Sequence, residues 1–150
     1  MGKSPKLICI VDDDESVRRA LGRLTRTYGF DVELMESGRE CLDGAYIDRA
    51  ACLILDVSLP SMDGFELHAL LKASGRDIPT VFISAHDDEG YKERAKSIGA
   101  VAFLSKPCDQ NLLRDAIDKA IASKNTPGKK GDIPSQHSSS HTKAYETKVP

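Results

Sequence analysis

Charged residues stand where apolar runs stop. Leu7-Ile8-Cys9-Ile10-Val11 is followed by Asp12-Asp13-Asp14, and Ala51-Cys52-Leu53-Ile54-Leu55 by Asp56. Two later apolar runs end in Ser84 and, just past Leu104, in Lys106-Pro107. Carboxylates gathered in one place repel, and a buried unpaired charge is costly. A hard divalent cation relieves that cost. Mg2+ takes oxygen ligands in octahedral geometry, typically one or two carboxylates with waters and phosphate oxygens. Asp13, Asp56, the backbone carbonyl of Ser58 and waters are a sensible shell, with Asp12 bound directly or through water. Asp56 is then free to attack phosphorus, because the metal offsets repulsion between an anionic nucleophile and an anionic donor. Lys106 is a point charge for one phosphoryl oxygen, and the Ser84 hydroxyl can donate to another.

Such chemistry requires distant run ends to meet, so the elements carrying them matter. The apolar run at 7–11 reads as a strand. Val17, Ala20, Leu21 and Leu24 recur at helical spacing over 16–28, with acidic residues at the start and Gly29 as the stop. A second strand is expected at 30–35, then a short helix capped by Ser37 and running through Glu40, Cys41 and Leu42. The 51–55 run has no polar alternation, the habit of a strand covered on both faces. A helix from Gly64 or Phe65 to about Ser74 follows, ended by Gly75, then a strand at 80–84. The helix at 87–98 has a thin apolar face of Tyr91, Ala95 and Ile98, with Gly99 after it. A fifth strand at 101–104 precedes a helix at 109–122, whose face is Leu112, Leu113, Ala116, Ile117, Ala120 and Ile121. Five strands alternating with five helices predict an α/β fold, a doubly wound parallel sheet with right-handed crossovers. The carboxyl ends of such strands share one edge, which is where open α/β sheets bind ligands.

The rest of the chain narrows the function. Its 150 residues suit one domain, and a formal net charge of −2 excludes a generally basic nucleic-acid binder. From 124 to 150, five Lys outnumber Asp132 and Glu146, leaving residues 1–123 at about −5. That last segment is rich in Pro, Gly, Ser and Lys without apolar period, and is expected to be a disordered tail or linker with no output domain. His137 and His141 lie in it without a helical pattern, so no metal role is expected for them. Cys9, Cys41, Cys52 and Cys108 form no C-x-x-C pair and read as small buried hydrophobes. No secretory signal or membrane span is evident, so a reducing cytoplasm is the expected setting. A phosphatase using a strand-end Asp places a second acid two residues on; here that position is Ser58. A nucleotide- or flavin-binding protein would need a Gly-rich loop after the first strand, where acids stand instead.

Taken together, Val11-Asp12-Asp13-Asp14, Leu55 through Gly64, Ile83-Ser84-Ala85 and Leu104-Ser105-Lys106-Pro107 resemble the receiver domain of two-component response regulators, in its order and spacing, over about residues 5–123. The wording is most similar to the FixJ-type subgroup, usually attached to DNA-binding output domains. The resemblance implies a flavodoxin-like (βα)5 fold with strand order 2-1-3-4-5. It implies phosphorylation of Asp56 by a sensor histidine kinase with Mg2+, Asp13 as the main metal-binding acid and Asp12 as its neighbour. A one-residue slip in the Asp triple would instead make the pair Asp13 and Asp14. It also implies Lys106 as the ammonium that holds a phosphoryl oxygen, a cis Lys106–Pro107 bond, Ser84 as the switch hydroxyl and Phe103 as the aromatic switch position. Phosphorylation adds about −1.5 to −2 charges; Ser84 is drawn inward and space opens for Phe103 to turn. The effect is expected on the face of the fourth helix, fifth strand and fifth helix (the α4-β5-α5 face), which meets an output domain or partner, a homodimer among the possibilities. The protein is thus expected to be a switch that catalyses only its own phosphoryl transfer and dephosphorylation. Ser58 and His86 stand where they can set the lifetime of the phosphoryl group, although His86 also reads as a plain surface residue and Phe103 as ordinary core. The arginines of the first helix are either a solvated face or a kinase contact. Direct nucleic-acid binding by this chain is not expected. The 28 residues after Ala122 are too few and too polar for a helix-turn-helix, so the chain acts through protein contacts or belongs to a longer regulator.

Overall fold

The computed structural model describes residues 4–124; the segment expected to be a tail lies outside them, apart from Lys124. The elements are β1 (Leu7–Val11), α1 (Glu15–Thr27), β2 (Asp31–Met35), α2 (Gly38–Asp43), a 3-10 turn (Ala45–Arg49), β3 (Ala50–Asp56), α3 (Gly64–Ala73), β4 (Thr80–Ser84), α4 (Glu89–Ser97), β5 (Ala102–Ser105) and α5 (Gln110–Lys124). The strands form one sheet in the order β2-β1-β3-β4-β5, all pairs parallel. The predicted architecture and order therefore hold.

Side-chain alternation divides the core into two layers. Cys9, Val11, Leu53, Leu55, Phe82 and Phe103 pack with Cys41 of α2, Phe65, Leu67 and Leu71 of α3, and Ala95 of α4. Their neighbours in the strands, Ile8, Ile10, Cys52, Ile54, Val81, Ile83, Ala102 and Leu104, pack with Leu21 of α1 and Leu113, Ala116, Ile117 and Ala120 of α5. Every residue of β3 and β4 is buried, which explains their unbroken apolar runs: a strand covered twice has no face left for polar residues.

Helix starts follow cap chemistry. Asp14 accepts from the Ser16 and Val17 amides at 2.9 and 3.2 Å, Ser37 from Glu40 at 3.1 Å, and Asp88 from Gly90 and Tyr91 at 2.7 and 3.3 Å. Asp63 and Glu66 form a reciprocal capping box, both bonds at 2.9 Å. Because Asp88 is a cap, α4 starts two residues later than its apolar spacing suggests. Gly29, Gly75 and Gly99 follow their helices with φ of 95°, 86° and 81°, the left-handed conformation that ends a helix cheaply in glycine.

Three details differ from expectation. The 3-10 turn at Ala45–Arg49 was not foreseen; it is only five residues long and carries a single buried side chain, Ile47, so it has no period to read. Ala20 of α1 is exposed, while Gly22 and Thr25 are buried: α1 meets β2 so closely that a Cβ on Gly22 would lie 3.0 Å from Leu34 Cδ2. And β3 extends through Asp56, which pairs with Ile83, so the acid belongs to the strand itself.

Candidate functional site

β1, β3, β4 and β5 lie side by side, so their carboxyl ends converge as the chemistry requires. The ends are also tied together: the Val57 amide donates to the Ile83 carbonyl at 3.0 Å and the Lys106 amide to the Ser84 carbonyl at 2.8 Å. The loop after β3 folds back, with the Gly64 amide on the Val57 carbonyl at 2.8 Å. A Cβ on Gly64 would sit 2.4 Å from the Asp56 carbonyl oxygen, so only glycine lets α3 begin this near the acid.

Asp12 is fully buried and held from several directions. Its amide donates to the Met35 carbonyl at 3.1 Å, and its Oδ1 accepts from the Asp14 amide at 2.9 Å. Its carbonyl accepts from Arg18 Nη1 at 2.9 Å. Asp56, 2 % exposed, accepts from the Ser58 amide through Oδ1 at 3.2 Å. Lys106 Nζ bridges the two acids, 2.8 Å from Asp12 Oδ2 and 3.2 Å from Asp56 Oδ2. Carboxylate oxygens of Asp12, Asp13 and Asp56 all lie within 4.8 Å of one another. Asp13 is the exposed member of the three. Asp14 caps α1, and the three clustered acids are Asp12, Asp13 and Asp56.

Electrostatics follow from this crowding. Burial, and then the like charge of Asp12, push Asp56 from an ordinary 3.8 up to about 6, against the lowering effects of Lys106 and the Ser58 amide. Burial opposes the Lys106 charge, but the close carboxylates of Asp12 and Asp56 outweigh that and hold the ammonium above its usual range. Three carboxylates face one ammonium, a surplus of negative charge. Asp12 Oδ2 is buried and has no aligned hydrogen-bond donor; its contact with Lys106 is an ion pair off the hydrogen-bond direction. A hard divalent cation fits this oxygen-only donor set and its under-satisfied oxygen.

Ser84 is fully buried, and its Oγ accepts from the His86 amide at 3.0 Å. Ser58 and His86 are exposed beside the pocket. The Lys106–Pro107 peptide is cis. Phe103 is 1 % exposed and aligned with Phe82 across β4 and β5. The cysteines are free; Cys9, Cys41 and Cys52 are buried as expected, whereas Cys108, just past the edge strand, is only half-buried. Burial raises Cys9 to about 12 and Cys41 and Cys108 to about 11. Arg18 was missed as a contributor to the site. Its one sequence signal, a basic residue six positions after the first acid on the opening turn of a helix, is common to many solvated helices.

A doubly wound parallel sheet with an acidic pocket and one lysine at its carboxyl edge defines a class of proteins that handle phosphoryl groups with a divalent cation. The chain belongs to the response regulator receiver domain family, whose profile matches residues 8–118. It is 38% identical over 121 residues to the response regulator protein TodT of Pseudomonas putida, covering 81% of this chain and 53% of that protein. It is 40% identical over 111 residues to nodulation protein W of Bradyrhizobium diazoefficiens, covering 74% and 49%. The chain thus spans about half the length of the curated relatives it matches. Among solved structures, the response regulator StyR aligns with a TM-score of 0.73 at 39% identity, covering 81% of this chain and 61% of that one. A response regulator receiver protein from Burkholderia phymatum aligns at 0.68 and 38%, covering 79% and 95%. Receiver domains of this family are signalling switches of two-component systems, phosphorylated by histidine kinases and binding Mg2+ in an acidic pocket. No helix among the described residues is long and apolar enough to cross a membrane.

Proposed function

We propose that Asp56 is the phospho-acceptor of this receiver. A carboxylate oxygen of Asp56 bonds to phosphorus as the P–N bond of a kinase phosphohistidine breaks, the imidazole keeping the electron pair and Asp56 becoming an acyl phosphate. Asp13, Asp56 and the Ser58 carbonyl would hold Mg2+, with Asp12 bound directly or through water; the ion supplies positive charge that offsets repulsion between the two anions. Lys106, now shared by Asp12 and Asp56, is within reach of a phosphoryl oxygen placed on Asp56. The Ser84 hydroxyl accepts from His86 and has its own proton uncommitted among the described residues, so it can donate to another such oxygen and draw the loop after β4 inward. Phe103 is the aromatic switch position, turning into the space that this movement opens. Ser58 and His86 border the path by which water reaches the phosphoryl group and set its lifetime. The observation that carries this reading is the single ammonium bridging two buried acids with a third acid within 4.8 Å.

The output runs through the α4-β5-α5 face to a partner, a second copy of the chain, or an output domain that controls transcription. The free cysteines fit a cytoplasmic setting, and residues 124–150 act as a linker. The test is incubation with radiolabelled phosphoryl donor: the wild type is expected to take up label in Mg2+ and none when EDTA is present from the start, while Asp56→Asn takes up none in either. Label on the Asp56→Asn chain would overturn the assignment.

A further inference from the structure

Asp13 reaches the acid cluster without help from its own side chain. It is exposed, and among the described residues no hydrogen bond or ion pair holds its carboxylate, yet that carboxylate lies within 4.8 Å of those of Asp12 and Asp56. Its direction is therefore set by the backbone. The Asp12 carbonyl and the Asp13 amide are one planar peptide unit; fixing that oxygen fixes the line along which Asp13 leaves it. One contact holds the unit directly, the Arg18 guanidinium on the Asp12 carbonyl at 2.9 Å; the Asp14 amide on Asp12 Oδ1, also 2.9 Å, closes the turn around it. Arg18, itself half-buried, reaches that carbonyl from α1, whereas the Asp14 bond is internal to the turn.

We propose that Arg18 is a positioning residue for divalent-cation binding, holding the Asp12–Asp13 peptide so that Asp13 faces Asp56. This rests on the reading of Asp13 and Asp56 as cation ligands. Charge and position predict opposite signs, which makes the idea testable. Deleting a nearby positive charge favours a bound cation, so on charge alone an Arg18 variant binds Mg2+ more tightly. Losing the orientation of a ligand weakens binding, typically by about 10- to 100-fold for groups behind the ligands themselves.

The experiment is calorimetric titration of the full chain with MgCl2 for the wild type, Arg18→Ala, Arg18→Met, Arg19→Ala and Asp13→Asn. Arg18→Met keeps the aliphatic stem and guards against loss of folding. Arg19 pairs with Glu15 at 3.3 Å on the exposed side of α1, so Arg19→Ala removes the same charge without touching the pocket loop. Both Arg18 variants are expected to bind Mg2+ about tenfold or more weakly, with Arg19→Ala unchanged or slightly tighter. In EDTA, the Asp14 amide is expected to exchange its hydrogen faster in Arg18→Met. Mg2+ affinity that is equal or tighter in the Arg18 variants, equal weakening in Arg19→Ala, or unchanged Asp14 exchange would each overturn the proposal. Wild type that binds no Mg2+, or Asp13→Asn that binds as well as wild type, would sink the ligand assignment beneath it.

Discussion

At the scale of single residues, the site stores unfavourable charge. Asp56 is raised to about 6 by burial and by Asp12, so between about 4 and 6 the folded protein keeps a proton that the unfolded chain has lost. The slope of stability with pH is set by protons bound in the unfolded minus the folded state. The Asp56 contribution is therefore negative across that window and levels off above it. The raised value is net of the Lys106 ion pair, so the charged form of Asp56 is disfavoured on balance in the folded state. Asp56→Asn is accordingly expected to be no more stable than wild type near pH 4 and more stable at pH 7 to 8, measured by chemical denaturation in EDTA. Saturating Mg2+ should shrink the gap by stabilising the wild type more than the variant. A difference that does not grow from pH 4 to 7 would contradict the stored-charge account. The identity of these residues was legible in the chain, because acids at the ends of apolar runs have few structural reasons to be there. The sharing of Lys106 between Asp12 and Asp56 was not, since it depends on how far each strand end projects.

At the scale of elements, loops and caps decide where the side chains stand. The loop from Val57 to Asp63 must return so that α3 starts against the Asp56 carbonyl. Gly64→Ala forces a methyl group into backbone atoms at 2.4 and 3.0 Å, which cannot swing aside as a side-chain tip can. It is expected to cost about 1–3 kcal/mol in unfolding free energy, and to weaken Mg2+ binding because the displaced β3 end carries Asp56. Unchanged stability by urea denaturation would show that the loop is not under this constraint. The strands and helix stops could be read because each carries a period or a glycine. The 3-10 turn and the exposed Ala20 could not, because one depends on a single buried Ile47 and the other on how closely α1 lies on β2.

At the scale of the whole molecule, the sheet is anchored unevenly. α5 buries four residues against the sheet, Leu113, Ala116, Ile117 and Ala120, whereas α4 fully buries Ala95 alone. β5 is an edge strand beside it, and an edge invites pairing or covering. A lightly anchored helix next to an open edge is where a local change at Ser84 can be expressed as a new surface. Sedimentation of the chain with Mg2+ and beryllofluoride, a mimic of the phosphoryl group, is expected to show the mass of two chains, against one without it. An unchanged mass would remove the homodimer from the proposed outputs.

The chain alone determined the alternation of strands and helices and the kinds of groups at the strand ends, because hydrophobic period and cap chemistry are local properties. It also determined that the run leading to Asp56 is covered on both faces. Only the tertiary structure decided that Asp12 and Asp56 share one ammonium, that Arg18 holds the Asp12–Asp13 peptide, and that Phe103 already lies inside. Those facts rest on distances between segments far apart in the chain, and such distances are fixed by packing, about which local spacing carries no information.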